Sequence, residues 1–357
     1  MFDDLIQMSL DNSVYGLEKE EKQSLLLSQL NFLHKHHFNS CDNYRMISDS
    51  SGLGACDCNT FDEFLYLSVQ MFKKENFMSI KSSDVYRTMM SSGTTSHNPS
   101  KIYLDRLTAT YQTKALVNIF RDLLGGSRVP MLILDHASVS SSIETFSARG
   151  AGIRGLSILG RDHCYALKNE NFEVDLTATK AFLTKYKEVP ILIFGFTGIA
   201  WLAFQQLRSS GISLENATFI HSGGWKKLQE ISVSNEHFKE TLNGWFGLKR
   251  IHNFYGMVEQ TGGVHVECEY GYLHTPIFGD ILFRDPETLD VLPKNVTGIA
   301  QVFSALPYSY PGHSLLTEDL GSIIGEDDCQ CGRKGKYFLI DGRVKKVEER
   351  GCSGAAS

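Results

Sequence analysis

The chain has 357 residues, with 35 Lys and Arg against 41 Asp and Glu, a net charge of −6. Hydrophobic residues make up 42% and charged residues 21%, with 22 Phe, 14 Tyr and only 8 Pro. Such a composition fills a large core and excludes disordered, collagen-like and coiled-coil chains, and the acidic surplus argues against nucleic acid as a principal partner.

At about 150 residues per domain, the length suits two domains or one large α/β domain with an appendage. Residues 1–80 read as a helical segment. Over Glu18–Phe38, the residues Leu26, Leu30, Leu33 and His37 recur at helical spacing, and Phe61–Phe72 repeats the pattern with Asp62 and Glu63 in its first turn. Val85–Met90 then reads as a strand and Arg106–Leu124 as a helix ended by Gly125-Gly126. Apolar runs at Met131–Leu134, Pro190–Phe196 and Ala217–Ile220 have the character of strands covered on both faces; Asp175–Tyr186, Gly198–Leu207 and Asn235–Trp245 are helical. This alternation over 81–250 predicts a parallel sheet with helices on both faces. From 251 to 343 the pattern is β-rich and hairpin-like, at Gly263–Glu267, Ile277–Arg284, Gly298–Phe303, Asp319–Ile324 and Lys336–Ile340. Residues 344–357 form a polar, small-residue tail that carries Cys352.

Met1-Phe2-Asp3-Asp4 lacks the basic, then apolar, character of a secretory signal, and no apolar run approaches the ~18 residues of a membrane span. The expectation is a cytoplasmic protein without a membrane span. Eight cysteines are too sparse for a disulfide scaffold; the close pairs Cys56/Cys58 and Cys329/Cys331 read as metal ligands or redox thiols before bridges.

Ser91-Ser92-Gly93-Thr94-Thr95 follows a predicted strand. Gly93 permits a tight turn in which N–H groups and hydroxyls converge on an anion, and Lys101 adds charge nearby. The second Gly and the Lys-Ser pair of a P-loop are missing. Further segments fall at or near strand ends: Ser222-Gly223-Gly224-Trp225, Asn253-Phe254-Tyr255-Gly256-Met257-Val258-Glu259, Thr317-Glu318-Asp319 and Asp341-Gly342-Arg343. Ligands of open α/β sheets bind beyond the carboxyl ends of strands, where such segments gather.

In this order, these segments resemble the adenylate-forming superfamily of acyl-CoA synthetases. Within it they are most similar to the acyl-protein synthetases, the fatty-acid-activating subunits of the bacterial luciferase fatty-acid reductase complex. The resemblance implies a large adenylate-forming α/β domain completed by a β-rich subdomain, and ATP-dependent conversion of a carboxylic, expectedly fatty, acid to an acyl-adenylate. Ser91, Ser92, Gly93, Thr94, Thr95 and Lys101 match the phosphate loop, Gly223 and Gly224 the segment beside adenine, and Tyr255-Gly256 the pair bordering adenine and α-phosphate. Glu259 matches the Mg²⁺ carboxylate, Asp319 the ribose carboxylate and Arg343 the hinge arginine. Phe194, Phe196 and Trp225 are expected to border an acyl channel. Val258 stands where the family has Thr or Ser. The sequence stops 14 residues after Arg343, so the C-terminal domain of larger members, with its catalytic lysine, is expected to be absent.

The resemblance also implies that Cys352 accepts the acyl group as a thioester and hands it to a partner protein such as an acyl reductase. Cys329-Gln330-Cys331-Gly332 resembles a segment of the phenylacetate-CoA-ligase-like branch, some of whose members bind a structural zinc. Cys268 and His274 are the partners proposed to complete four ligands. Two other readings stand beside this one: an acyl- or aryl-CoA ligase of that branch, and a non-catalytic nucleotide-binding scaffold.

Overall fold

A computed structural model describes Asp4 and residues 13–91, 99–141 and 148–344. Helix α1 (Lys19–Ser40) turns Leu26, Leu30, Leu33 and His37 inward, as their spacing predicts, and α2 (Asp42–Ser50) follows it. The helix expected over Phe61–Phe72 does not form. Its place is taken by a 3₁₀ turn at Phe61–Glu63, a strand β1 (Leu67–Ser68) and a second 3₁₀ turn at Val69–Lys73. Leu67 and Ser68 pair in parallel with Leu315 and Leu316, which demands extended backbone in the middle of the stretch. Phe61 and Phe64 both pack on Phe303. Tertiary pairing has overridden a helical pattern.

Strands β2 (Arg87–Met90) and β3 (Lys101–Leu104) form a separate antiparallel pair. Helix α3 (Arg106–Leu124) starts where the Asp105 carboxylate accepts from Thr108 N–H at 2.7 Å, and ends at Gly125, whose φ of +75° suits a residue without Cβ. The parallel part of the large sheet comprises β4 (Val129–Ile133), β5 (Gly160–Tyr165), β6 (Ile191–Phe196), β7 (Ala217–Ser222) and β8 (Arg250–Gly256), in the spatial order β5-β4-β6-β7-β8. Between them run α4 (Ala148–Ser157), α5 (Leu176–Lys185), α6 (Thr197–Leu207) and α7 (Asn235–Phe246).

Strand side chains alternate between two cores. Ile191 and Ile193 meet Phe182, Phe204 and Phe246 on one face; Leu192 and Phe194 meet Ile119, Phe120 and Ile153 on the other. Burial of each such side chain contributes roughly 1.5–3 kcal/mol, so the apolar runs settle in the middle layer. Beyond β8 the sheet turns antiparallel through β9 (Val264–Glu267), β10 (Leu273–His274), β14 (Lys336–Arg343), β13 (Ser314–Glu326), β12 (Gly298–Ser304) and β11 (Gly279–Arg284). Helix α1 covers part of this half, with Leu26 and Leu30 among Leu282, Phe303 and Ala305.

Among the elements without a counterpart in the sequence reading are α4 and β5. The α4 stretch holds three glycines that dilute its helical pattern, and β5 is an edge strand with exposed Arg161, Asp162 and His163, so neither presents an apolar period.

Candidate active site and candidate metal centre

The carboxyl ends of β6, β7 and β8 lie side by side. Phe196 is opposite Ser222, and Ser222 is opposite Phe254, whose carbonyl accepts from Ser222 Oγ at 2.9 Å. Chain reversal after β7 needs Gly223 in the left-handed region at φ +74°, where an added Cβ would come within 3.3 Å of Phe196. A Cβ on Gly224 would meet nothing within 4 Å, so this turn borders open space. At the end of β8, a Cβ on Gly256 would stand 2.9 Å from the Gly263 carbonyl, a separation only glycine relieves.

Tyr255, Asp319 and Arg343 come together although 64 and 24 residues separate Asp319 from its two partners. Tyr255 Oη donates to Asp319 Oδ2 at 2.8 Å, and Arg343 Nε donates to Asp319 Oδ1 at 2.7 Å. Asp319 lies within β13, directly across from Arg343 on β14, rather than in a loop. Its carboxylate is nearly buried while Arg343 is largely exposed. Burial and the adjoining Asp319 charge push the Tyr255 phenol well above its ordinary range, so it stays a neutral donor.

Glu259 is 8% exposed, in the turn after β8, and makes no hydrogen bond or ion pair among the described residues. That turn is fastened from below: Gln260 Nε2 donates to the carbonyls of Val302 and Gly312 at 2.9 and 3.2 Å, and Thr261 N–H donates to Tyr310 Oη at 2.8 Å. A nearly buried carboxylate without a partner among the described residues, on a fastened turn, matches what Mg²⁺ takes from a protein, one or two carboxylates completed by phosphate oxygens and water. Tyr255, Met257, Val258 and Met89 of β2 each pack against one large apolar cluster.

Ser91 directly follows β2; its hydroxyl accepts from Ser100 N–H at 2.9 Å, and its own N–H donates to the Ser100 carbonyl at 3.1 Å. Lys101 stands opposite Met90 and is exposed. Ser92, Gly93, Thr94 and Thr95 lie outside the described residues, as does Cys352. Of the three aromatics expected at an acyl channel, Phe194 has no exposed surface and belongs to the core. Phe196 and Trp225 remain partly exposed at and beyond the carboxyl ends of β6 and β7, where Phe196 touches the Gly223 turn and Trp225 packs edge-on to Trp201 at 6.0 Å.

A second constellation is compact. Cys268 follows β9, His274 is in β10, and Cys329 and Cys331 lie between β13 and β14; their donor atoms all fall within 4.8 Å of one another. Cys331 Sγ is 3.4 Å from both His274 Nε2 and Cys329 Sγ. Two tight turns make the arrangement, one closed by Gly271 N–H to the Cys268 carbonyl and one by Gly332 N–H to the Cys329 carbonyl, with both glycines at positive φ.

Burial raises all three thiols, but backbone N–H groups oppose it: those of Tyr270 and Tyr272 at Cys268, of Cys331 at Cys329, and of Arg333 at Cys331. Donors aimed at sulfur favour the thiolate, the form that binds metal. Burial, with help from the Arg333 and Lys22 charges, pulls His274 down to about 3, which keeps its imidazole neutral. Zn–S bonds of about 2.3 Å in a tetrahedron set donors ~3.8 Å apart, so three sulfurs and one imidazole here have the chemistry and spacing to hold zinc.

Arg333 and Tyr15 adjoin this cluster, and the sequence reading gave neither a role. Arg333 followed the cysteine pair in plain view; Tyr15 comes from so far along the chain that no local spacing marks it.

The solved structures most like this chain include 2-hydroxyisobutyryl-CoA ligase in the postadenylation state in complex with 2-HIB-AMP. That match has a TM-score of 0.71 and 13% identity over 93% of this chain and 70% of the other. The open conformation of that ligase, in complex with 2-HIB-AMP and CoA, matches with a TM-score of 0.70 and 15% identity over 92% and 76%. The fold is therefore that of the adenylate-forming ligases. Among named relatives, the long-chain-fatty-acid–luciferin-component ligase of Vibrio harveyi is 25% identical over 98% of this chain and 91% of its own length. Its counterpart in Aliivibrio fischeri is 22% identical over 98% and 92%. No helix among the described residues is long and apolar enough to cross a membrane. The family model "Acyl-protein synthetase, LuxE" matches residues 2–357, so this chain belongs to the acyl-protein synthetases, a family of ligases.

Proposed function

We propose that this ligase activates a fatty acid with ATP and carries the product as a thioester on its own tail. The observation that supports this best is the Tyr255–Asp319–Arg343 cluster beside the open Gly223-Gly224 turn, in a chain of this family. The carboxylate oxygen of the acid attacks the α-phosphorus of ATP and displaces pyrophosphate, leaving an acyl-adenylate. Asp319 accepts from the ribose hydroxyls, Gly223 and Gly224 leave a flat wall for adenine, and Tyr255 borders the ring and the α-phosphate. Ser91–Thr95 and Lys101 surround the outer phosphates. Glu259 would help hold Mg²⁺, which when bound would offset charge on the phosphates. Phe196 and Trp225 border the acyl chain.

The Cys352 thiolate then attacks the acyl carbon and expels AMP, and the thioester passes to a partner nucleophile. A fatty acid as substrate accords with relatives named long-chain-fatty-acid–luciferin-component ligases, and an acyl reductase is the partner proposed to take the thioester. Zinc held by Cys268, His274, Cys329 and Cys331 fits a structural role, since four protein ligands leave no open position for chemistry.

Pyrophosphate–ATP exchange, run across acids of increasing chain length, tests this reading. Exchange that depends on a long-chain acid and needs no CoA is the expected result. No exchange with any acid refutes it, and turnover that requires CoA shifts the assignment to a CoA ligase.

A further inference from the structure

The segment Val14–Leu17 buries Val14, Tyr15 and Leu17 in the core beside α3 and touches the cysteine–histidine cluster through Tyr15. The Val14 carbonyl accepts from Ile277 N–H at 2.9 Å, and the Tyr15 carbonyl accepts from Lys334 N–H at 2.8 Å. The Tyr15 ring meets the edge of the His274 ring at 6.1 Å, and the Arg333 guanidinium lies over it at 4.6 Å. Arg333 also reaches helix α3, where Nε and Nη2 both donate to Asp122 Oδ2. Four stretches of chain thus meet at this point, with an open cleft of about 530 Å³ leading in past Cys331.

Two donors there are left over. Tyr15 Oη and Arg333 Nη1 are buried and have no hydrogen-bond partner among the described residues. Tyr15, Arg333 and Cys331 line this cleft together, so both donors stand beside the sulfur-bearing turn without a hydrogen bond to it. A buried donor without an acceptor is costly, so something is expected to complete the pair. When a divalent cation binds, three thiol protons leave to solvent and the [M(S)₃N] unit carries one net negative charge. Thiolate sulfurs then become the strong acceptors these donors lack.

We propose that Tyr15 and Arg333 are outer-sphere donors to the metal-bound thiolates, so that the metal fastens the segment Val14–Leu17 and the end of α3 to the β-rich half. This rests on the metal reading above. Outer-sphere partners of metal ligands are typically worth 10- to 100-fold in metal affinity.

The test uses the full-length chain, stripped of metal and reloaded with Co²⁺, whose thiolate charge-transfer and d–d bands report a tetrahedral sulfur-rich site. Chelator competition then gives affinity for wild type, Tyr15→Phe and Arg333→Lys. Hydrogen exchange of the amides of residues 14–17 is followed with and without metal. The expected result is an unchanged type of Co²⁺ spectrum, affinity at least about tenfold weaker in each variant, and a metal-dependent slowing of exchange in wild type that is reduced in Tyr15→Phe. Tyr15→Phe keeps the ring and is the decisive variant; Arg333→Lys keeps the charge but gives up the paired bonds to Asp122, so urea unfolding checks its fold and its affinity counts only if stability is unchanged. If wild type shows no such bands, the metal reading itself falls. If wild type and both variants bind Co²⁺ equally and exchange alike, the centre stands and the outer-sphere role is overturned.

Discussion

Replacement of Asp319 by Asn probes the ribose assignment with little change of shape. An ionised carboxylate offers about four acceptor sites. Tyr255 and Arg343 occupy one on each oxygen, leaving two that match the paired hydroxyls of one ribose. In Asp319→Asn the amide oxygen still serves Arg343, and the Tyr255 hydroxyl turns to accept from the new NH₂. The fold therefore loses little. Arg343 is largely exposed, which limits its ion pair to roughly 0–1 kcal/mol. Weakening the Tyr255 bond from charged to neutral costs about 1 kcal/mol more.

For ATP the effect is larger. Loss of one charge-assisted bond to a ribose hydroxyl, about 1.5–3 kcal/mol, weakens binding about 10- to 150-fold. Because the ribose does not react, KM for ATP should rise with kcat nearly unchanged. Pyrophosphate exchange over a range of ATP concentrations reads this directly, and urea unfolding checks stability. A KM within twofold of wild type, in a variant that unfolds normally, refutes the placement of ribose at Asp319.

Other expectations can be checked in parallel. Cys352→Ser should retain acid-dependent exchange but lose the thioester formed from labelled fatty acid and ATP; equal labelling of both proteins removes Cys352 from the mechanism. Chelation, or Cys329→Ser, should release about one zinc per chain and lower Tm; metal analysis and calorimetry decide, and an unchanged Tm on complete zinc loss argues against a structural role. Acid should destabilise the fold through His313, which burial and neighbouring His34 and His36 pull down to about 3. Neutral when folded, it contributes stability fully above its ordinary pKa of about 6.5 and loses it as pH falls toward 3, by up to about 1.4 kcal/mol per pH unit. Urea unfolding between pH 7.5 and 5.5 should show a shallower decline in His313→Gln, and equal slopes refute the assignment.

The apolar runs that became β4, β6 and β7 were readable because a strand covered on both faces needs hydrophobic residues at every position, whatever its neighbours. Helices α1, α3 and α7 were equally plain, since their buried faces, and the caps of α3 and α7, are local properties of the chain. Motif residues were legible for a related reason: a glycine at φ +74°, or two cysteines flanking one residue, answers to constraints a few bonds away. The segment around Leu67 shows where that legibility ended, because its backbone follows a strand 248 residues on, and ladder pairing outweighs helical spacing. Only the tertiary structure could decide that Asp319 would hydrogen-bond Tyr255, that the proposed partners Cys268 and His274 would in fact close on Cys329 and Cys331, and that Phe194 would be core while Phe196 stayed partly exposed at the end of its strand. The reason is physical: local sequence sets which face of an element is buried, whereas side chains from remote elements converge only after sheet order and register have brought those elements together.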